Sequence, residues 1–164
     1  MLFRTRARIA LGALTAVGAV AVAAGSVAAT SSSGKQTTGT AYVAGTPKPG
    51  SLVYVAGFNT DKVLGPGAVT YALKALPGRA SGTIKVNARL VTLWTAKGSL
   101  SGTGSATLTI TNSPKTGDAT VSGGKLKLTH GTGALAGHSL TATFTGKGNV
   151  GAGAYVFHYK GTYK

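Results

Sequence analysis

Cysteine and glutamate are absent from this 164-residue chain, and aspartate occurs only twice, at Asp61 and Asp118. Each shortage removes a class of explanation. Without cysteine there is no disulfide framework, no thiolate metal site and no thiol nucleophile, so the core must hold itself together. Two carboxylates leave little room for paired-acid hydrolysis or a Ser-His-Asp triad. Both would have to draw on Asp61 or Asp118, which sit in turn-like contexts. No G-x-S-x-G elbow occurs. No run of five or six like charges occurs either, which argues against a basic tail or a dedicated nucleic-acid segment. No helical stretch of a dozen residues separates the apolar runs, so a parallel α/β sheet is excluded.

What is present begins with a leader. Arg4, Arg6 and Arg8 precede an uncharged apolar stretch over residues 9–24, and Val27 and Ala29 stand at the −3 and −1 positions of a cleavage site before Thr30. This pattern predicts a signal peptide over 1–29 and a secreted or cell-envelope location. The alternative is an uncleaved anchor, but alanine, glycine and valine insert weakly. Residues 30–39, TSSSGKQTTG, read as a short flexible linker, and residues 40–164 as one domain. Removing the three leader arginines leaves fourteen basic residues against two acids, a net charge of +12. These cations are spread singly. The pattern predicts solvated outer strand faces and loose association with polyanions, anionic cell-envelope polymers among them, with no specific nucleic acid partner.

The domain then alternates. Ile84, Val86, Ala88 and Leu90 alternate with polar residues, and the run continues through Val91, Leu93 and Trp94. Ala106, Leu108 and Ile110 repeat the pattern, as do Leu126 and Leu128, then Leu140, Ala142 and Phe144, then Tyr155, Phe157 and Tyr159. Period-two spacing predicts half-buried strands. Earlier strands are expected over residues 42–45, 51–58 and 68–76, although AVTYALKAL also suits a helix. Turns are expected at Lys48-Pro49-Gly50, at Asn59 through Lys62, at Gly65-Pro66-Gly67, at Pro77-Gly78 and around Asn112-Ser113-Pro114. About eight strands at regular spacing predict an all-β, antiparallel eight-stranded barrel.

Three features invite a sharper function. GTGALA at 131–136 matches a dinucleotide fingerprint, but that chemistry needs a helix starting there, and the next segment reads as a strand. His130, His138 and His158 are the only candidates for a metal, too few without carboxylate partners, so neither a metal nor a cofactor is expected. The aromatic set Trp94, Phe144, Tyr155, Phe157 and Tyr159 could pack a core or line a barrel that holds an apolar ligand.

The stretch GGKLKLTHGTGALAGHSLTATFTGKG at 123–148 resembles the glycine-rich hairpin of the dirigent and allene oxide cyclase β-barrel superfamily, with Gly131, Gly133 and Gly137 at the glycine positions and Leu135 at the apolar one. The resemblance implies an eight-stranded barrel whose interior binds or converts a small apolar molecule. The acidic side chains that dirigent members use have no counterpart that aligns here. The sequence therefore supports an exported, non-catalytic barrel, binding anionic polymers through its surface or a small molecule through its interior. A structural role in the envelope is the third reading. A ligand-sized cavity with an inward polar group would favour the small molecule.

Overall fold

The computed structural model describes residues 33–45, 52–74, 82–111 and 117–164. They form a closed antiparallel barrel in sequence order: β1 (Lys35–Ala44), β2 (Leu52–Asp61), β3 (Gly67–Lys74), β4 (Gly82–Thr95), β5 (Gly98–Thr111), β6 (Asp118–Gly131), β7 (Leu140–Asn149) and β8 (Ala154–Tyr163). The all-β, eight-stranded architecture predicted from the alternation is the fold. β1 closes the barrel against β8, from Lys35 opposite Tyr163 to Ala44 opposite Ala154. Closure pairs every strand on both sides and leaves no open edge. Among the described residues no helix is long and apolar enough to cross a membrane.

Two expectations change, and one ambiguity is settled in favour of the expected strand. The sheet starts at Lys35, so residues 35–39 of the expected linker are strand. Their polar sequence is accommodated because β8 supplies a full ladder partner and Thr37 turns a buried hydroxyl inward. The segment with competing helix propensity, GAVTYALK, is β3. Pairing on both sides, with β2 and β4, overrides local preference there. Asn59 and Asp61 are not turn residues: they end β2, and the turn falls at Lys62–Leu64. The expected leader over residues 1–29, residues 30–32 and the turns expected at 48–50, 77–78 and 112–114 lie outside the described residues.

Long strands need bends to close a barrel. β4, β5 and β6 have 14 residues each, and β-bulges interrupt their ladders. The bulge between Ala88 and Val91 matters most. Ile84, Val86 and Ala88 face inward, and the slip then turns Val91 and Leu93 into the buried set. Leu90 and Trp94 are left 50% and 51% exposed on the outer face. An odd shift in a period-two pattern exchanges the faces.

One end of the barrel is packed solid. Leu100, Leu128 and Leu140 are fully buried, and Leu135 joins them from a single 3₁₀ turn, Gly133–Leu135. Each such leucine contributes roughly 1.5–3 kcal/mol. The β6–β7 connection folds over the β4–β5 hairpin to hold this plug. The Thr132 N–H donates to the Ser99 carbonyl at 2.9 Å and the Ala134 N–H to the Lys97 carbonyl at 2.8 Å. Gly133 takes φ 60 and Gly137 φ 78, left-handed conformations that suit glycine. At Gly131 an added Cβ would strike the Leu135 carbonyl. The loop leads straight into β7, so no helix offers its N-terminus to a phosphate.

Candidate functional site in the barrel interior

Beyond the leucine plug the barrel is hollow. The reason lies in a repeated pairing of inward aromatic rings with glycines on the neighbouring strand. Phe144 of β7 lies opposite Gly124, Phe157 and Tyr155 of β8 opposite Gly146 and Gly148, and Tyr159 opposite Gly39. In each case a Cβ built on the glycine would collide with the partner's ring. The rings therefore lie against the wall in the space that a side chain would fill, as aromatic cover of strand glycines does generally. They also pack on each other. Phe144 and Phe157 meet edge to face at 5.7 Å between centroids, and Tyr71 meets Phe157 at 6.3 Å.

What remains on the axis is a cavity of about 150 Å³. Aliphatic side chains such as Val55, Val69, Leu93 and Leu108 make up most of its wall, together with the aromatics Tyr71 of β3, Phe144 of β7 and Tyr155, Phe157 and Tyr159 of β8. No charged side chain lines it among the described residues. Burial pushes the Tyr71 hydroxyl well above the usual tyrosine range, with the nearby Tyr155 adding to it, and burial raises Tyr155 as well. Both stay neutral at physiological pH.

The polar feature of the wall is Asn59, at the inner face of β2. It is fully buried, and neither its Nδ2 nor its Oδ1 has a hydrogen-bond partner. It lies beside the Tyr159 hydroxyl but not in hydrogen-bonding geometry.

Two residues further along the same strand, Asp61 is buried and fully occupied. Its Oδ2 accepts from the Tyr159 hydroxyl at 2.7 Å. Its Oδ1 accepts from the Thr37 hydroxyl at 2.7 Å and from the N–H groups of Val63 and Leu64, each at 2.8 Å. The carboxylate thus organises the β2–β3 turn and ties β1, β2 and β8 together, an Asx-turn use of aspartate. Burial, then the hydrogen bond and negative charge of Asp61, hold the Tyr159 hydroxyl far above its ordinary pKa.

Of the aromatics expected at a ligand site, Phe144, Tyr155, Phe157 and Tyr159 share the cavity wall. Trp94 does not. The β4 bulge turns it outward, where its indole N–H reaches the Thr70 hydroxyl at 3.4 Å. The pattern missed Tyr71, hidden in the helix-like AVTYALK, and Asn59, hidden in a polar run that reads as a turn. β2 continues three residues past Phe58, to Asp61, and that continuation carries Asn59 onto the inner face. The histidines take local partners. His158 contacts the Thr40 hydroxyl at 3.1 Å, and His138 contacts the Lys164 carbonyl at 3.0 Å while stacking on Tyr163. Among the described residues no group of three side chains is arranged to hold a metal. Comparison with family models, with curated proteins and with solved structures gives no match for this chain.

Proposed function

We propose that this protein binds one compact, largely apolar molecule inside its barrel, through a single carbonyl or hydroxyl group that meets Asn59. The observation that carries the reading is Asn59 itself, fully buried on the cavity wall with both amide atoms unpaired. A buried amide without partners costs roughly 1–3 kcal/mol, which a ligand's polar group would recover. The volume of about 150 Å³ suits one six-membered ring; an engineered cavity of about that size in another protein takes up benzene. An uncharged wall disfavours ions.

Binding without conversion is the better reading. The Asp61 carboxylate is saturated by four donors. The Tyr159 proton is committed to it, so neither group is free for acid–base work near neutral pH. The resemblance of residues 123–148 to the dirigent and allene oxide cyclase hairpin points to the same use of the interior. Export by the 1–29 leader would put the binding site outside the cell or in its envelope.

The test is a calorimetric and NMR titration with p-cresol, toluene and 4-methylbenzoate. Cresol should bind tighter than toluene, and Asn59→Leu should erase that preference. The benzoate should not bind. Absence of binding by both neutral rings, or equal binding of the benzoate, overturns the reading.

A further inference from the structure

The lysines that look dispersed in the sequence converge in the fold. On the outer wall a groove of about 920 Å³ runs across strands β4 to β8 and reaches β1. It gathers Arg89, Lys125, Lys127 and Lys160, all exposed. Register explains how residues far apart in the chain meet. Lys125 lies opposite Thr143, and Thr143 lies opposite Lys160; one step along, Lys127 lies opposite Thr141. Period-two alternation sends Leu126 and Ala142 inward and these side chains outward. Lys125 and Lys127 are then about 7 Å apart along the strand, and Lys125 and Lys160 about 10 Å apart across it. Both separations are near the screening length of about 8 Å at physiological salt, so the cations act together.

Among the described residues no anionic side chain in the groove balances them. Neither carboxylate of the protein lines it. Asp61 is buried inside the barrel, and Asp118 pairs with Asn149 at 3.4 Å. Between the cations stand hydroxyls and side-chain amides, Thr141, Thr143, Asn87 and Gln36 among them. Among the described residues no aromatic side chain lines the groove. We propose that this groove is a binding site for a linear anionic polysaccharide. Charge complementarity selects a polyanion, and the remaining chemistry selects the kind. The exposed amide carbonyls of Asn87 and Gln36 can accept from sugar hydroxyls, donors that inorganic polyphosphate lacks. Single-stranded nucleic acid would want an aromatic stacking platform. An anionic bilayer would want apolar side chains to insert. Its cationic side chains stand on the opposite face of the strands from the interior cavity, with Ala88, Gly104, Ser105 and Leu126 forming the shared wall between the two.

The experiment measures affinity for heparin, as a sulfated polysaccharide probe, across salt concentrations. Two variants of equal net charge are compared with the parent: Lys125→Gln, Lys127→Gln and Lys160→Gln together in one, and Lys62→Gln, Lys97→Gln and Lys147→Gln together in the other. All six lysines are exposed, and thermal melts monitored by circular dichroism confirm that both variants are folded. At physiological salt the groove variant should bind at least tenfold more weakly, and its slope of log affinity against log salt should flatten by about two to three. The second variant should lose less than threefold. Equal losses in the two variants would reduce the interaction to net charge and overturn the site. So would no binding by the parent, or tighter binding of polyphosphate, single-stranded DNA or phosphatidylglycerol vesicles than of heparin at the same salt.

Discussion

Asn59 and Asp61 stand two residues apart on one face of β2, and both are buried. Asp61 receives four hydrogen bonds from three parts of the chain, while Asn59 receives none. Burial alone therefore does not say what a polar residue is for. A buried group whose bonding capacity is filled from within holds the fold together. A buried group left unpaired on a cavity wall lowers stability, and a ligand can return that loss as affinity.

The comparison can be broken first at Asp61. Asp61→Ala strands the Tyr159 and Thr37 hydroxyls and two backbone N–H groups, and should cost roughly 3–5 kcal/mol in chemical denaturation. A loss below about 1 kcal/mol would show that the turn holds without its carboxylate.

Tyr159→Phe removes one of those bonds and should cost about 1.5–3 kcal/mol. It also carries a pH signature. The folded pKa of Tyr159 is raised, so its contribution is complete below the unfolded value near 10 and is lost as pH climbs above it. The parent should therefore lose stability above about pH 10. The Tyr159→Phe variant should lose it less steeply, by up to about 1.4 kcal/mol per pH unit. Parallel alkaline profiles would contradict the Tyr159–Asp61 assignment.

Gly148→Ala tests how the hollow is kept open. Its methyl group would meet the Tyr155 ring, push the ring toward the axis and cost about 1–3 kcal/mol through overpacking. Uptake of p-cresol should fall with it. Unchanged uptake would mean that the ring has another place to go.

The smallest effect has the opposite sign. Asn59→Leu exchanges an unpaired amide for an apolar group of similar size, and should raise stability by about 1 kcal/mol. A loss of stability comparable to that of Asp61→Ala would mean that Asn59 is bonded after all, and would remove the contrast between the two residues.

Much of the fold was legible along the chain, because alternation is a local property. β5, β7 and β8 each repeat apolar and polar residues at period two, and the inward set Tyr155, Phe157 and Tyr159 follows from counting. Counting failed where the ladder slipped. In β4 the bulge after Ala88 reversed the faces and carried Trp94 outward. It also failed where strand and turn share a vocabulary, since Asn-Thr-Asp is ordinary turn chemistry and only the partners in β1 and β3 extend β2 through it.

The amino-acid sequence by itself determined the class of the molecule: an all-β chain with no disulfide, a strong positive charge, and glycine where strands turn or rings must lie close. These depend on composition and on neighbours a few residues away. Three things belonged to the tertiary structure. Closure of β1 on β8 set Tyr159 against Gly39 and delivered its hydroxyl to Asp61. The aromatic–glycine pairs left a cavity with Asn59 on its wall. Strand register drew Lys125, Lys127 and Lys160 together from separate hairpins. The Tyr159–Asp61 bond, the cavity with Asn59 on its wall and the lysine cluster each join strands that are far apart in sequence, and they exist only once the strands have paired in register around the barrel.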